Sequence, residues 1–353
     1  MNEQEKIDIR TLSTESLQKS FEEWGEKPFR AKQVQEWLWK KSASDFSEMT
    51  NLSIGLREKL EDKFVIRAMK VGETQISDDG TVKCVMSTYD RKVIESVLIP
   101  TSARKTACIS SQVGCSLSCA FCATGKLKRL RDLDYSEIYD QVVAVNQLSL
   151  DTYKTPLTNI VYMGMGEPLM NYKNMIESVD KITSDKGLGM SAKRITVSTA
   201  GIAKQIKRLG DDGVKFNLAI SLHAANDKKR SEIMPINKSN TLDSLSEALS
   251  YYFEKTKNRV TFEYIIFKDF NDSIQDADEL IAFCRKVPSK VNIIEYNPID
   301  DGKFQKADEK KVDRFAAHLE KKGIIAKIRR SRGKDIDAAC GQLANKNKLA
   351  KEV

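Results

Sequence analysis

The chain has 353 residues, a formal net charge of +8 and seven cysteines. The first ten residues, MNEQEKIDIR, lack the apolar core of a signal peptide, and no apolar run is long enough to span a bilayer. These features argue against a membrane protein and against a disulfide-stabilised secreted protein. We therefore expect a cytoplasmic protein whose cysteines bind metal or take part in catalysis.

The first hundred residues predict two small units. Residues 1–62 are predicted to form a helical module, because apolar residues such as Leu17, Phe21 and Trp24 recur at helical spacing. Its basic residues are expected either to contact RNA or to be ordinary surface lysines. Residues 63–104 are predicted to form a small β extension, because short β-type runs such as TVKCVMS and KVIESVLIP occur there.

From residue 105 the chain alternates β-type runs with amphipathic helices. The β-type runs are TACIS, NIVYM, RITVS, FNLAISL, VTFEYIIF and VNIIEY. Such a series of βα units predicts a parallel sheet with right-handed crossovers, and it is too short to close an eight-stranded barrel. We therefore predict an α/β fold with a partial, open (β/α)6 barrel over residues 105–343, followed by a C-terminal tail over 344–353.

Positive charge is concentrated near the end of the predicted barrel. Residues 302–334 contain twelve Lys and Arg against four Asp and Glu. This segment and the loop after the cysteines hold the residues that we expect to contact phosphate: Lys126, Lys128, Arg129, Arg131, Lys327, Arg329, Arg330, Arg332 and Lys334.

Cys115, Cys119 and Cys122 lie in the stretch GCSLSCAFCATGK with the spacing C-x3-C-x2-C. Thiolates are the usual ligands of iron–sulfur clusters, and a four-iron cluster normally has four of them. Three thiolates in one loop therefore indicate a 4Fe–4S cluster with one iron open to another ligand. A zinc site is the first alternative, but the two histidines, His223 and His318, are far away in sequence. Three unrelated core cysteines are the second, and the glycines of the loop argue against them.

Polar or glycine-rich residues follow successive predicted strands, and such positions carry the functional residues of parallel sheets. Each residue by itself is also consistent with a turn or a cap. Together they predict the rim of a ligand pocket. The set comprises Gly166, Glu167, Ser198, Ser221, Leu222, His223 and Asn297.

Several segments of the chain resemble one enzyme superfamily. CISSQVGCSLSCAFCATG, NIVYMGMGEPLMNY, AISLHAAND and DIDAACGQL together resemble the radical S-adenosylmethionine (SAM) enzymes. Within that superfamily the chain is similar to the RlmN group of 23S rRNA and tRNA adenine-C2 methyltransferases. The resemblance implies that Cys115, Cys119 and Cys122 hold the cluster, whose open iron binds the amino and carboxylate groups of SAM. It also implies that the strand-end residues line the rest of the SAM pocket.

The resemblance further implies a carrier mechanism that uses two SAM molecules per turnover. Adenine C2 is electron-poor, so it does not attack a sulfonium methyl. In this family one SAM methylates a cysteine, which here is Cys340. A second SAM yields a 5′-deoxyadenosyl radical, which takes hydrogen from the methylated sulfur so that the remaining carbon radical adds to the base. Cys108 matches the resolving cysteine, which forms a transient disulfide with Cys340, and Glu95 matches the proton acceptor. The alternatives are two inert buried cysteines and an outward-facing strand glutamate.

The expected partners are 23S rRNA, tRNA and an electron donor such as flavodoxin, and we expect a monomer. The closest alternative is a Cfr-type enzyme, which shares these cysteines and methylates adenine C8; Pro168 after Glu167 favours the C2 group. The alternatives from other classes are an iron–sulfur electron carrier and a non-catalytic RNA-binding module. A carrier would lack the pocket residues and would normally have a fourth cluster cysteine.

Overall fold

The N-terminal part of the chain folds as a small helical unit. The structure is a computed structural model, and it describes residues 6–346. Ser13 and Ser53 accept hydrogen bonds from N–H groups in the first turns of two helices, which explains where these helices begin. The elements of the unit are β1 (Ile7–Asp8), α1 (Thr14–Glu23), α2 (Phe29–Trp39), α3 (Ile54–Lys63) and β2 (Phe64–Val65).

The next segment forms an antiparallel extension of the main sheet. Its strands are β3 (Lys70–Ile76), β4 (Val82–Ser87) and β5 (Val93–Pro100). β5 pairs antiparallel with β6 (Lys105–Cys108), the first strand of the barrel. Extension and barrel therefore share one ten-stranded sheet, and the division proposed at residue 104 falls between two neighbouring strands of it.

The remaining elements alternate along the sheet. In chain order they are β7 (Gln112–Val113), β8 (Arg131–Asp132), α4 (Tyr135–Tyr153), β9 (Asn159–Tyr162), α5 (Tyr172–Thr183), β10 (Ile195–Thr199), α6 (Ala203–Asp211), β11 (Asn217–Ser221), α7 (Asp227–Ile233), α8 (Leu242–Thr256), β12 (Val260–Ile266), α9 (Ile274–Cys284), β13 (Ser289–Glu295), α10 (Glu309–Lys321) and β14 (Ala326–Arg329). β7 and β8 form a separate antiparallel pair.

The parallel part of the sheet confirms the predicted α/β fold and open barrel, with one strand more than predicted. β6 and β9 to β14 are parallel neighbours, which makes seven parallel strands where six were predicted. The prediction missed β14 because its sequence, AKIR, is only four residues long and carries two cations. A short strand with two cations has less of the apolar character by which the other six were recognised.

The two faces of the sheet have different neighbours. Ser96 on β5 donates to a side chain of α4 at 2.9 Å, so it faces the helices. Glu95 and Val97 alternate with it and face the barrel interior. Val97 pairs with Lys83 on β4 and with Cys108 on β6. Because directly opposed residues project from the same face, Lys83, Glu95 and Cys108 share the inner face of the barrel.

Residues 330–346, which follow β14 and are called the C-terminal strap here, link distant parts of the molecule. The N–H group of Gly333 donates to Asp79 in the turn between β3 and β4 at 3.0 Å. The carbonyl oxygen of Gly341 accepts from the N–H group of Ala123 in the cysteine loop at 2.7 Å. Of the tail predicted over 344–353, residues 347–353 lie outside the described residues.

Candidate active site

The loop that carries Cys115, Cys119 and Cys122 lies between β7 and β8 and is folded tightly on itself. The N–H group of Cys122 donates to the carbonyl oxygen of Cys119 at 3.2 Å. Gly114 has a φ of +76°, and a Cβ there would lie 2.2 Å from a backbone oxygen on the far side of the loop. Only glycine fits at this position, and it lets the two ends of the loop approach each other.

Apolar side chains fix this loop over the ends of the strands. Leu117 and Phe121, which lie between the cysteines, are both buried. The N–H group of Ala120 donates to the carbonyl oxygen of Ile233 in α7 at 2.9 Å. The residues buried with Leu117 and Phe121 come from the carboxyl side of the sheet: Ala200, Ala224, Ile233, Met234, Ile265, Phe267 and Tyr296.

Burial raises the pKa of all three cysteine thiols in the loop. The pKa of Cys115 rises to about 11, and the pKa values of Cys119 and Cys122 also lie above the ordinary value because of burial. Hydrogen bonds from the N–H groups of Gly125 and Thr124 act in the opposite direction on Cys122. An apolar surrounding keeps such thiols neutral until a bound metal displaces their protons.

Gly166 and Glu167 follow β9 and form a rigid turn. Gly166 has a φ of +95°, and a Cβ there would lie 2.5 Å from the Cβ of Gln112. The carboxylate of Glu167 is buried and accepts from the N–H groups of Leu169 at 3.0 Å and Ala200 at 2.7 Å. Burial raises the pKa of Glu167, while these hydrogen bonds act in the opposite direction. The glutamate therefore ties the end of β9 to the end of β10.

Ser198 and Ser221 lie on the neighbouring strands β10 and β11, and Leu222 and His223 follow directly. The Nδ1 atom of His223 accepts from the N–H group of Ile265 at 3.1 Å. Burial lowers the pKa of His223 to about 3, so the imidazole is neutral and its proton is on Nε2.

The ring of His223 also connects the strand ends to the cysteine loop. It packs edge-on against Phe121, with ring centroids 4.7 Å apart. The cysteine loop and the end of β11 therefore form one wall.

Asn297 follows β13 and contacts the strap at the position of Cys340. Its Nδ2 atom donates to the carbonyl oxygen of Cys340 at 3.1 Å. Its Oδ1 atom is buried and has no hydrogen-bond partner among residues 6–346. Native structures rarely leave a buried acceptor unpaired, so this oxygen marks a position where a ligand donor would bind.

The thiol of Cys340 lies close enough to Cys108 for the two to interact electrostatically. All seven cysteines are free thiols, and Cys340 is exposed while Cys108 is buried. Burial raises the pKa of Cys108 to about 12. Protein packed around the thiol of Cys340 raises its pKa to about 12, and the nearby Cys108, Cys122 and Glu263 add to this rise. Cys340 is therefore an exposed residue whose thiol is surrounded by protein atoms.

Glu95 faces the barrel interior and is 1% exposed. Its Oε2 atom accepts from the N–H groups of Ala344 at 3.0 Å and Asn345 at 3.1 Å, both in the strap. The ammonium of Lys83 is 3.6 Å from its Oε1 atom. The outward orientation left open by the sequence is therefore not the one observed.

Two family models match the chain. The Ribosomal RNA large subunit methyltransferase N-terminal domain matches residues 7–66, and the Radical SAM superfamily matches residues 109–283. A probable dual-specificity RNA methyltransferase RlmN of Christiangramia forsetii is 56% identical over 97% of this chain and 97% of its own. The chain belongs to the RlmN family.

More distant RlmN relatives and a solved structure agree with this assignment. A probable dual-specificity RNA methyltransferase RlmN of Salinibacter ruber is 41% identical over 98% of this chain and 96% of its own. The crystal structure of a radical SAM methyltransferase from Sphaerobacter thermophilus is 37% identical and superimposes with a TM-score of 0.90 over 96% of this chain and 99% of that chain. The protein is therefore a radical SAM enzyme that methylates RNA.

The RlmN family implies SAM and a 4Fe–4S cluster, and the residues fit both. Three thiols in one tight loop are a donor set suited to iron, and the unpaired Oδ1 atom of Asn297 suits a ligand donor. In the described part of the chain, no three His, Cys, Asp or Glu side chains are grouped so that they could hold a single metal ion. In a four-iron cluster each thiolate binds a different iron, so its sulfurs need not meet at one point.

The zinc alternative finds no support from the histidines. The Nδ1 atom of His223 accepts a hydrogen bond from a backbone N–H group, and His318 lies on α10 with its Nε2 atom 2.7 Å from Asp278.

Within residues 6–346, the structure contains no helix whose length and hydrophobicity would let it span a lipid bilayer.

Of the basic residues expected to contact RNA, some are held in ion pairs and others are not. Arg131 pairs with Asp90 and Glu137, each at 2.7 Å, and Lys334 pairs with Glu295 at 3.0 Å. Arg330 also contacts Glu295, Arg129 pairs with Asp132, Arg332 lies 3.6 Å from Asp79, and Lys126 donates to the carbonyl oxygen of Asp300. Lys128, Lys327 and Arg329 are exposed and form no ion pair with any described residue.

Sequence reasoning missed a fully buried arginine at the centre of the strand ends. Arg230 on α7 is 0% exposed, and burial lowers its pKa to about 10. Its guanidinium donates to the carbonyl oxygens of Ala200 at 2.7 Å and Leu222 at 3.2 Å and to the Oδ1 atom of Asn237 at 2.6 Å. It therefore ties together the ends of β10 and β11. Nothing in the segment KKRSEIMPIN distinguishes this cation from its exposed neighbours.

Proposed function

We propose that this enzyme methylates C2 of an adenosine in the peptidyl-transferase region of 23S rRNA and of an adenosine in the tRNA anticodon loop. The printed name of its relatives, dual-specificity RNA methyltransferase, supports two RNA substrates. One observation supports the proposal most: Cys340 lies next to the cysteine loop and to the end of β13, where the cofactors would bind. Asn297 donates to its carbonyl oxygen at 3.1 Å, and the next residue, Gly341, accepts from the cysteine loop at 2.7 Å.

The cofactors would be held by one side of this site. Cys115, Cys119 and Cys122 would bind the cluster, and Gly166, Glu167, Ser198, Ser221, Leu222, His223 and Asn297 would line the SAM pocket. When bound, the cluster and SAM supply a methyl group, a carbon radical that removes a hydrogen atom, and an acceptor for one electron. Because the methyl group and the radical come from separate molecules, two SAM molecules are used per turnover.

The chain's own residues would carry out the remaining steps. The sulfur of Cys340 takes the methyl group, loses one hydrogen atom from it, and the resulting carbon forms a bond with C2 of the base. Glu95 accepts the proton of C2, and one electron leaves the ring. The thiolate of Cys108 then bonds to the sulfur of Cys340, and the carbon–sulfur bond breaks with its electron pair remaining on carbon. That carbon takes up a proton and becomes the new methyl group.

The resulting disulfide between Cys108 and Cys340 must be reduced by two electrons from an external dithiol before the next turnover. A further one-electron donor, such as flavodoxin, would reduce the cluster. We also propose that the enzyme acts as a monomer in the cytoplasm. The exposed Lys128, Lys327 and Arg329 are the basic residues most open to RNA phosphates, because they form no ion pair within residues 6–346.

The test uses the variant Cys108→Ala in cells that express the enzyme. Without the resolving thiol, the bond between Cys340 and the methylated base should persist, so the purified protein should carry covalently bound RNA. Cys84→Ala is the matched control, because Cys84 is a buried cysteine on β4 without a proposed role. It should yield no adduct.

Three results would overturn the proposal. One is normal methylation by Cys108→Ala without any adduct, which would remove the resolving step. Another is methylation at C8 in mass spectra of digested rRNA, which would support the Cfr-type alternative. A third is the absence of 5′-deoxyadenosine after anaerobic incubation of the cluster-containing wild type with SAM and dithionite.

A further inference from the structure

Lys83 is a buried cation on the inner face of the barrel, level with Cys108. Val97 on β5 is paired on one side with Lys83 and on the other with Cys108. The three side chains therefore stand in a row across three adjacent strands, on the face opposite to helix α4. Glu95 lies two residues before Val97, on the same face, within reach of a long side chain from Lys83.

The ammonium of Lys83 has few polar contacts for a group that is so deeply buried. The side chain of Lys83 is 7% exposed and that of Glu95 is 1% exposed, and Nζ and Oε1 are 3.6 Å apart. Among residues 6–346, Glu95 is the one acidic partner of Lys83, and Lys83 forms no hydrogen bond. Removal of one partner of a buried ion pair leaves the other without its counter-ion, so each of these two groups depends on the other for charge compensation.

The two oxygens of Glu95 have different environments. Oε2 accepts from two backbone N–H groups of the strap, at 3.0 and 3.1 Å. Oε1 faces Lys83 at a distance longer than a hydrogen bond, so its lone pairs remain open. A base that takes a proton from carbon needs such an open oxygen, and it needs the negative charge that a neighbouring cation stabilises.

We infer that Lys83 is a positioning residue for the proton acceptor: its ammonium, 3.6 Å from Oε1, pairs with the carboxylate of Glu95 and keeps Oε1 on the inner face of the barrel. The inference rests on the proposed function, in which Glu95 accepts the C2 proton. The step that Lys83 assists is the transfer of that proton to Oε1, while one electron leaves the ring and the ring regains its aromaticity. Lys83 itself gains and loses no atom.

This role makes the rate of one step depend on Lys83 and leaves the earlier steps independent of it. Methylation of Cys340 and formation of the carbon–carbon bond precede the loss of the C2 proton. A variant that lacks the cation should therefore load Cys340 with methyl and attach RNA normally, and then release the RNA slowly. Positioned general bases typically contribute 10²–10⁴-fold to a rate, so decay of the adduct should slow by on the order of 10²-fold.

The experiment follows the decay of the protein–RNA adduct in Lys83→Met, Lys83→Arg and Glu95→Gln, all with Cys108 intact. RNA with deuterium at C2 of the target adenosine serves as a second substrate. We expect Lys83→Met to accumulate the adduct and to show a primary deuterium isotope effect on its decay, because proton removal has become the slow step. Lys83→Arg keeps the charge and should decay at nearly the wild-type rate.

Two further comparisons separate positioning from loss of structure. Lys70→Met removes an exposed lysine of β3 and should leave adduct decay unchanged. The double variant Lys83→Met with Glu95→Gln removes both buried charges together, and it should be no slower than Glu95→Gln alone, because Lys83 acts through Glu95.

The inference is overturned if Lys83→Met releases the adduct at the wild-type rate, if no isotope effect develops, or if the two substitutions slow decay additively. A loss of methyl-Cys340 in a folded Lys83→Met protein would also overturn it, because the defect would then lie in an earlier step. Failure of the proposed function would look different. In that case the wild type and every variant would lack both methyl-Cys340 and the adduct, or RNA digested after reaction with the wild type would carry the methyl group at C8.

Discussion

The cofactor side and the substrate side of this site are built in different ways. On the cofactor side, neighbouring strand ends hold one another through buried hydrogen bonds, as when Glu167 accepts from Leu169 and Ala200. On the substrate side, residues from distant parts of the chain meet, as when Glu95 accepts from Ala344, 249 residues further on. In the proposed function the parallel barrel would hold the cofactors, whereas the proposed base, Glu95, depends on contact between the β extension and the strap, which also carries Cys340. A substitution on the substrate side should therefore leave cluster and SAM binding intact, even when RNA methylation is lost.

The largest effect is expected from Cys119→Ala, which breaks the cofactor side. Two remaining thiols leave a second iron without a protein ligand, so anaerobic reconstitution should yield little iron and sulfide, and SAM cleavage should be lost. Iron analysis and 5′-deoxyadenosine release measure both. Cys284→Ala, at the end of α9, is the control and should keep its iron. Unchanged turnover by Cys119→Ala would contradict the assignment of the loop.

Cys340→Ala should break the substrate side alone. Methylation of RNA should disappear, because no sulfur accepts the methyl group, while iron content and SAM binding should match the wild type. Measurements of methylated RNA, iron content and SAM affinity on the same preparation test this prediction. If the variant also loses its iron, the two sides are not independent, and the comparison above is wrong.

Arg230→Met should lower the free energy of unfolding by removing a tie between strand ends on the cofactor side. The substitution leaves the carbonyl oxygen of Ala200 and the Oδ1 atom of Asn237 without their buried donor, and each unsatisfied group of this kind costs about 1–3 kcal/mol. Denaturant unfolding should show a loss of about 3 kcal/mol. Arg259→Met removes an exposed arginine and should change stability by less than about 0.5 kcal/mol. Equal stability of the two variants would refute the role of Arg230 as a tie between strands.

Gly166→Ala should have the smallest effect, and it is confined to SAM binding. The added Cβ would lie 2.5 Å from Gln112 at a φ of +95°, so the turn after β9 must shift. A strain of about 1–3 kcal/mol is expected, which corresponds to a SAM affinity weakened by roughly 10- to 100-fold. Gly189→Ala, at a φ of +67° with nothing within 4 Å, keeps the conformational strain without the clash and should bind SAM normally.

The sequence predicted the parts of this molecule that depend on local pattern. Apolar runs such as VTFEYII identified six of the strands, and the cysteine spacing identified the loop that fits a cluster. β14 was missed, because AKIR is short and half charged. The local sequence pattern is least informative for a strand that forms because it pairs with a neighbouring strand, as β14 pairs with β13.

The residues that sequence reasoning could not find depend on contacts between distant segments. Lys83 is an ordinary alternating position in TVKCVMS until pairing places it beside Val97 and within 3.6 Å of Glu95. Arg230 is one cation among several in KKRSEI until its side chain is seen among carbonyl oxygens. Pairings across the fold carry no signature in the local sequence, so only the structure reveals them.

The carrier role of Cys340 can be read from the isotopic composition of the product. With SAM that carries a trideuterated methyl group, the methyl passes through the sulfur and loses one deuterium before its carbon bonds to the base. The new methyl group regains a proton when the carbon–sulfur bond breaks. Mass spectra of digested RNA should therefore show a methyl group with two deuterium atoms and one hydrogen. A methyl group that retains all three deuterium atoms would mean direct transfer from SAM and would contradict the mechanism.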